Sequence, residues 1–205
     1  MSFSSRSVED FLSALASPEP TPGGGTASAI VGAMGVALLV MVAGLTKTRA
    51  NTDDERSTLV AVRASLEPLG RSLQACADRD ADAFNQVMAG FRLPKATEDE
   101  KARRKAAIQA ALKAATDVPL ETLRLVTTAA EFGETVARHG NSSATSDVRV
   151  AAGLLGAAAD GAAANVRTNL DGLADHDYRM GAAMETDQLL SRSEEARARL
   201  LAALD

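Results

Sequence analysis

The chain has 205 residues, of which 46% are hydrophobic and 24% charged, a composition typical of a globular protein. Its net charge of -5 argues against a nucleic-acid partner, and with only two histidines we expect no bound metal. Cys76 is the only cysteine, which excludes an intrachain disulfide and predicts a cytoplasmic protein. Alanine dominates the hydrophobic residues while aromatics make up only 3%, and these small helix-favouring side chains predict an all-α bundle.

The N-terminal part of the chain predicts a short helix, a loop and a long apolar helix. Ser7 and Asp10 have the spacing of a capping box, so a short helix should follow Ser7. Residues 17–25 read SPEPTPGGG and predict a loop. Residues 26–46 are uncharged and rich in Gly and Ala. A membrane span is one interpretation of this segment, but the lack of a basic flank and the many small residues favour a buried central helix.

The middle of the chain predicts two long amphipathic helices. The first covers residues 54–90, with a kink expected at Pro68. A second capping box, formed by Thr97 and Glu100, opens a helix that runs to about residue 113. Pro119 either kinks this helix or begins a new one at its first position.

The C-terminal part predicts two more helices. Gly140 should end the preceding helix with a left-handed cap. Helices are then expected over residues 143–170 and 175–204. Because the connections are short, neighbouring helices should be antiparallel. No linker divides the chain, so we predict one domain over residues 1–205, an antiparallel bundle around the buried Gly/Ala-rich helix.

Asp80 interrupts the apolar side of the helix predicted over residues 54–90. A carboxylate at such a position costs several kcal/mol to bury unless it is neutral, paired or hydrogen-bonded. Its pKa should be raised, as a general acid near neutral pH requires. Alternatively, Asp80 pairs with a basic side chain or caps a neighbouring helix, and the flanking Asp78 and Asp82 should be solvated. The apolar residues around it recur every three or four positions: Leu59, Val62, Leu66, Leu69, Leu73, Cys76, Ala83 and Val87.

Asp147 and two asparagines are the polar residues of interest in the helix over residues 143–170. Asp147 and Asn165 are 18 residues apart, which is five helical turns, so they share a face that Asn169 continues. The asparagines are interpreted as forming hydrogen bonds that lock the bundle, because buried amides need partners. Asp147 is either functional or a charge that stabilises the helix N-terminus.

Gly23, Gly24 and Gly25 precede the predicted central helix. Glycines expose backbone N–H groups at the positive end of a helix, where an anion or a polar ring can bind. No Gly-Lys-Ser/Thr sequence follows, so this is not a P-loop. The alternative is that the glycines allow close helix packing.

Three stretches of the chain, which contain these features, resemble one family. They read PTPGGGTASAIVGAMGVAL, DADAFNQVMAGFRLPKATEDEKARR and GNSSATSDVRVAAGLLGAAADGAAANVRTNL, and together they span most of residues 10–175. In this order they are similar to the signatures of formiminotetrahydrofolate cyclodeaminase and its relative methenyltetrahydrofolate cyclohydrolase. The resemblance implies an all-α homodimer with a folate site near the dimer interface, no additional cofactor, and no nucleic-acid or membrane partner.

The resemblance also implies roles for the candidate residues. Asp80 would be the principal acid or base, while Asp147 and Asn141 would orient the pterin or the reacting water. The amides of Gly23, Gly24 and Gly25 would bind a polar edge of the substrate. Three cations would meet the glutamate carboxylates of the folate: Lys95, Lys47 and Arg49.

Two reactions are compatible with this resemblance. Phe-Arg-Leu-Pro-Lys and Ser-Asp-x-x-Val-Ala-Ala slightly favour the cyclodeaminase, and the free-standing chain favours the cyclohydrolase. We place the cyclodeaminase first by a narrow margin. Many members follow the central helix with a glycine, several lysines and a tyrosine, whereas residues 45–51 read LTKTRAN here. This departure keeps a third interpretation open, a non-catalytic folate-binding or scaffold dimer.

Overall fold

The computed structural model describes residues 2–50 and 52–205. Within them the chain forms six α-helices and a short 3-10 helix at Ser142–Ala144, without a β-strand. The all-α prediction is therefore confirmed. In chain order the helices are α1 (Val8–Leu15), α2 (Gly24–Ala43), α3 (Asp53–Arg92), α4 (Glu98–His139), α5 (Thr145–Leu170) and α6 (His176–Ala202).

Side-chain caps determine where most helices begin. The Ser7 hydroxyl accepts the Asp10 N–H at the start of α1, as predicted. Full capping boxes open α3, at Thr52, and α4, at Thr97. The central helix α2 differs, because its N-cap residue is Gly23, which has no side chain to accept a hydrogen bond.

Helix α2 begins at Gly24, two residues earlier than predicted. The Gly23 carbonyl accepts the N–H of Ala27, so Gly24 and Gly25 belong to the first helical turn rather than to the loop. Helix α4 passes through Pro119 without a break, because Pro119 is buried among neighbouring helices whose packing offsets the lost hydrogen bond.

The left-handed cap predicted at Gly140 was wrong. Gly140 is extended, with φ of -68° and ψ of -176°, and its N–H donates to the Val136 carbonyl. A Cβ atom here would overlap that carbonyl oxygen and approach Val42. Glycine is therefore needed for space and not for a positive φ.

Helix α2 lies at the centre of the bundle and contacts α3, α4 and α5. The close approach is clearest at Gly32, where an added Cβ would lie 2.7 Å from Cγ1 of Val126, on α4. The same position would contact Ala158 on α5 and Leu73 on α3. Helices that follow one another from α2 to α6 run antiparallel, as predicted.

Helix α2 is long and apolar enough to cross a membrane by composition alone, but its packing accounts for that composition. More than half of its apolar window, 56%, is buried inside the bundle. One side of the helix stays partly or largely exposed, and we call it the open face of α2. It consists of Ala27, Val31, Met34, Ala37, Leu38 and Met41.

Helix α6 packs on α4 in a parallel direction. Pairs of residues 61 positions apart join the two helices at intervals of seven residues. We call this row the α4–α6 ladder. It consists of Tyr178 with Asp117 (2.6 Å), Arg124 with Glu185 (2.6 and 2.7 Å) and Arg192 with Glu131 (2.7 and 3.2 Å).

Candidate functional site

A partly open cavity of about 310 Å³ lies where α2 begins, and it brings Asp80 together with all three predicted glycines. We call this end of the bundle the Gly23 end. Helix α3 contributes Asp80 and Phe84, and α2 with its preceding loop contributes the glycines. The full lining is Pro20, Thr21, Gly23, Gly24, Gly25, Asp80, Phe84, Val87, Leu112, Ala115, Asn165, Thr168 and Asn169.

The Asp80 carboxylate caps the first turn of α2 from the neighbouring helix. Its Oδ2 accepts the Thr26 hydroxyl at 2.9 Å, and the carboxylate also accepts the Thr26 backbone N–H. Asp80 thereby supplies the acceptor that Gly23 lacks, which confirms the capping alternative. None of the ion pairs within residues 2–50 and 52–205 involves Asp80, so a basic partner is not what compensates its burial.

Burial raises the pKa of Asp80 above the ordinary carboxyl value of 3.8. The two hydrogen bonds from Thr26 act in the opposite direction, but they do not cancel the cost of removing the charge from water. Asp80 nevertheless lines the cavity. It is thus a carboxyl group that lines the cavity and has a pKa above the ordinary carboxyl value.

Gly25 allows Asp80 to approach α2 this closely. A Cβ atom at Gly25 would overlap Oδ1 of Asp80, whereas one at Gly24 would lie 3.6 Å from Nδ2 of Asn165, an ordinary contact. The packing interpretation therefore holds for Gly25. The first N–H groups of a helix have no acceptor within it. Thr26 donates its own to Asp80, and Gly24 and Gly25 line the cavity.

The two asparagines line the cavity as well, but only one of them locks helices together. Nδ2 of Asn169 donates to the Ala115 carbonyl of α4 at 2.7 Å. Nδ2 of Asn165 donates to Gly161 in its own helix at 2.8 Å. Both residues therefore combine a hydrogen bond to a helix carbonyl with a place in the cavity lining.

Sequence reasoning did not select Thr26, Phe84 or Thr168 for the site. Phe84 follows Asp80 by one helical turn and Thr168 follows Asn165 by three residues, so helical spacing could have identified both. Thr26 had no such signal, because its role depends on a contact with a residue 54 positions away.

The residues flanking Asp80 behave differently from each other. Asp82 is exposed, as predicted. The prediction for Asp78 was wrong, because its carboxylate accepts four hydrogen bonds from residues 2–4.

Four other candidate residues lie at the opposite end of the bundle, which we call the Arg49 end: Lys47, Arg49, Asn141 and Asp147. The Arg49 N–H donates to the carbonyls of His139 and Gly140, and its Nη2 lies 3.5 Å from the Thr145 hydroxyl. Oδ1 of Asn141 accepts the Ser143 N–H at 2.8 Å and caps the short 3-10 helix.

Asp147 also lies at the Arg49 end, half-buried in the first turn of α5. The 18 residues that separate it from Asn165 correspond to about 27 Å along the helix. Within one chain the structure therefore does not bring Asp147 near Asp80. Lys47 is exposed near this end, and Asn51 lies outside the described residues.

Lys95 is exposed in the turn between α3 and α4 and does not line the cavity. Helix α3 continues for 12 residues beyond Asp80, or about 18 Å, before this turn. Over residues 2–50 and 52–205, no group of three or more His, Cys, Asp or Glu side chains is placed to hold a metal ion.

Comparison with known proteins identifies the family of the chain. The sequence model described as formiminotransferase-cyclodeaminase matches residues 7–204. The chain belongs to this family. The match includes both ends of the bundle, from the α1 cap to the last turn of α6.

Similar proteins include members with two different names. The chain is 42% identical to a methenyltetrahydrofolate cyclohydrolase of Methylorubrum extorquens, over 91% of this chain and 89% of that protein. It is 31% identical to the formimidoyltransferase-cyclodeaminase of Gallus gallus, covering 95% of this chain but only 36% of the longer relative.

A solved structure has the same fold. The formiminotetrahydrofolate cyclodeaminase of Thermotoga maritima superposes with a TM-score of 0.86 at 30% sequence identity. The superposition covers 98% of this chain and 96% of that one. The helical architecture around the cavity is thus that of a solved family member.

Proposed function

We propose that this protein is a folate one-carbon enzyme that acts on the carbon between N5 and N10 of tetrahydrofolate. The observation that carries the proposal is Asp80, a half-buried carboxyl group with a raised pKa that lines a cavity at a helix N-terminus. The family match and the named relatives support the substrate class.

The first candidate reaction is hydrolysis of 5,10-methenyltetrahydrofolate to the 10-formyl compound. Ionised Asp80 takes a proton from water as the oxygen adds to the methenyl carbon, which gives a tetrahedral intermediate. Protonated Asp80 then delivers a proton to N5 as the bond between N5 and that carbon breaks, and the second water proton is released to solvent. The cyclohydrolase relative, similar over 89% of its length, favours this reaction.

The second candidate is the cyclodeaminase reaction, favoured by the solved structure of similar fold. N10 of 5-formiminotetrahydrofolate attacks the formimino carbon while a base removes its proton. The former imino nitrogen gains two protons, one in exchange for the proton lost from N10 and one from solvent, and leaves as ammonia, so that 5,10-methenyltetrahydrofolate remains. Both reactions pass through a tetrahedral carbon between N5 and N10, so one carboxyl group that gains and loses a proton serves either. Neither scheme requires a separate cofactor.

In this proposal, a second copy of the chain completes the site. The cavity of about 310 Å³ lies at the lower limit for ligand pockets, which suits the pterin ring but not a whole folate. Asp147, Asn141 and Arg49 lie at the other end of the same chain, about 27 Å away. A two-fold axis perpendicular to the helices would place the Arg49 end of one protomer beside the Gly23 end of its partner.

The open face of α2 provides the surface for this homodimer. It is apolar along its length, and no charged residue occurs between Glu19 and Lys47. On α5, which lies beside α2, exposed small residues such as Gly153 and Ala157 permit close approach of another helix. Two such faces can bury one another without an unpaired charge.

Three cations then have a proposed role in holding the glutamate tail of the folate. Arg49 lies beside the N-terminus of α5, and Lys47 is two residues earlier. Lys95 extends from the turn between α3 and α4, outside the cavity, where a long substrate tail would pass. Arginine and lysine are the usual partners of carboxylates in such exposed positions.

The test follows methenyltetrahydrofolate absorbance with purified protein, starting in parallel from the methenyl and the formimino compounds. Faster loss of the methenyl signal identifies a cyclohydrolase, and its formation with release of ammonia identifies a cyclodeaminase. Asp80→Asn should lower kcat by about 10²- to 10⁴-fold, the usual contribution of a general acid or base. Asp82→Asn, an exposed aspartate on the same helix, is the matched control.

The rival function is that of a non-catalytic folate-binding or scaffold dimer, motivated by the LTKTRAN segment. Silence of the folded wild-type protein in both assays, with tetrahydrofolate binding retained, would favour this rival. Unchanged turnover of a folded Asp80→Asn protein would instead remove Asp80 from the mechanism.

A further inference from the structure

Asp78 holds the N-terminal residues of the chain against α3. Its Oδ1 accepts the backbone N–H groups of Phe3 and Ser4, and its Oδ2 accepts the hydroxyls of Ser2 and Ser4, at distances between 2.5 and 3.2 Å. Burial alone would raise the pKa of Asp78, but the hydrogen bonds from Ser2, Ser4 and Phe3 outweigh it and lower the pKa. The carboxylate is therefore ionised at neutral pH and acts as a fixed anchor.

Helix α1, which follows this anchor, has little packing of its own. None of its residues is buried, and Val8 and Leu12 are 76% and 56% exposed. A helix of eight residues is too short to be stable in water by itself. The position of α1 therefore depends on what holds the chain before and after it.

The chain after α1 forms part of the cavity wall. Pro20 and Thr21 line the same cavity as Asp80, immediately before the first turn of α2. We call residues 2–23 the N-terminal strap. One end of the strap is fixed two residues before Asp80 on α3, and the other end closes the cavity beside Asp80.

We propose that Asp78 is a positioning residue for the substrate site. By holding residues 2–4 on α3, it keeps the strap in place and so keeps Pro20 and Thr21 against the bound substrate. The carboxyl group that does the chemistry, Asp80, is left untouched by this role. The inference rests on the proposed function for its kinetic consequence, but the anchoring itself is measurable without any substrate.

Two sets of variants separate the anchor from the stability of α3. Asp78→Ala removes all four acceptor contacts, and the double variant Ser2→Ala with Ser4→Ala removes the two hydroxyl contacts without altering α3. Asp78→Asn retains an oxygen for the backbone N–H groups of Phe3 and Ser4 and should restore part of the anchoring. Asp82→Ala removes an exposed carboxylate four residues further along α3 and serves as the control.

Trypsin provides the substrate-independent measurement. Arg6 is the only lysine or arginine before Lys47, so cleavage after Arg6 reports on the strap alone. In the wild-type protein the Arg6 N–H donates to Phe3, and its guanidinium lies 4.5 Å from the centre of the Phe3 ring. Asp78→Ala should accelerate cleavage after Arg6 by about tenfold or more, because proteolysis follows the population of the open segment.

The kinetic measurement is the separate determination of KM and kcat with the folate substrate that the wild-type protein turns over. Asp78→Ala should raise KM by about three- to tenfold, as expected for the loss of one contact in the wall, and leave kcat nearly unchanged. The double serine variant should raise the cleavage rate after Arg6 and KM by less than Asp78→Ala does. Asp78→Asn should give values between those of Asp78→Ala and wild type, and Asp82→Ala should match wild type.

Two results would overturn the inference. Equal cleavage rates after Arg6 in wild type and Asp78→Ala would show that Asp78 does not hold the strap. Faster cleavage with an unchanged KM would show that the strap does not position the cavity wall. An inactive wild-type protein would refute the proposed function instead, and faster cleavage of Asp78→Ala would then still support the anchor.

Discussion

Replacing Gly25 with alanine tests whether the geometry around Asp80 matters for function. An added Cβ would overlap Oδ1 of Asp80, so the carboxylate must retreat by about 1 Å to reach an ordinary contact distance. A displacement of about 1 Å in a reacting group costs on the order of 10²-fold in rate. We therefore expect kcat/KM to fall about 100-fold, which corresponds to about 2.7 kcal/mol of transition-state stabilisation.

The same substitution should have a smaller effect on stability. Displacing Asp80 weakens its two hydrogen bonds from Thr26, each worth about 1 kcal/mol net. Alanine in place of glycine in a helix returns up to about 1 kcal/mol. The net loss of about 1 kcal/mol should lower Tm by roughly 2–4 °C in a chain of this size.

The assay combines initial-rate kinetics with thermal unfolding of Gly25→Ala and two control variants. Gly24→Ala places a methyl group 3.6 Å from Asn165, so its Tm should equal or slightly exceed that of wild type. Gly181→Ala adds a methyl group in open space on α6 and should leave activity unchanged. In an Asp80→Ala background, Gly25→Ala should no longer destabilise, since its clash partner is gone. Wild-type turnover by a folded Gly25→Ala protein would refute the close-approach argument.

Three further predictions concern pH, assembly and spectroscopy. Because burial raises the pKa of Asp80, the folded state binds its proton more tightly than the unfolded state does. The stability contributed by this group is therefore complete below the ordinary carboxyl pKa of 3.8 and is lost as pH rises through the folded-state pKa. Denaturation at several pH values should show that Asp80→Asn gains stability relative to wild type between acid and neutral pH. Met34→Glu, on the open face of α2, should run as a monomer on gel filtration and have low activity. Met180→Glu, which replaces a similarly exposed methionine of α6, should remain dimeric. Tyr178 is the only tyrosine and there is no tryptophan, so alkaline ultraviolet titration reports on its phenol alone. The phenol should ionise well above pH 10, and Asp117→Asn should lower the pKa of Tyr178. An ordinary titration curve in the wild-type protein would contradict the Tyr178–Asp117 contact.

The parts of the structure that follow from local chemistry could be predicted from the sequence. Capping at Ser7 and Thr97 depends on residues three positions apart, and that spacing predicts where α1 and α4 begin. The selection of Asp80 also depended on a local pattern, because its carboxyl group occupies a position where the helix repeat requires an apolar side chain. The cavity then placed Gly23 and Gly24 beside it.

Features that depend on distant residues could not be predicted in this way. The partners of Asp78 lie about 75 positions earlier in the chain, and no periodicity within α3 indicates them. Helical spacing also showed that Asp147 and Asn165 share a face, but a shared face does not mean a shared site. The local cost of a proline predicts a kink or a helix start at Pro119, whereas the packing that offsets this cost comes from other helices.

The α4–α6 ladder has a consequence for the order in which the chain folds. Its partners are separated by 61 positions, so closing this contact costs more chain entropy than closing the α3–α4 hairpin, and α6 should dock last. During synthesis α6 also emerges from the ribosome after α1 to α5. Until it arrives, the uncovered side of α4 displays Asp117, Arg124 and Glu131. We expect this row of charges to oppose association of unfinished chains through that side of the helix, because charged groups are costly to bury in a non-native contact.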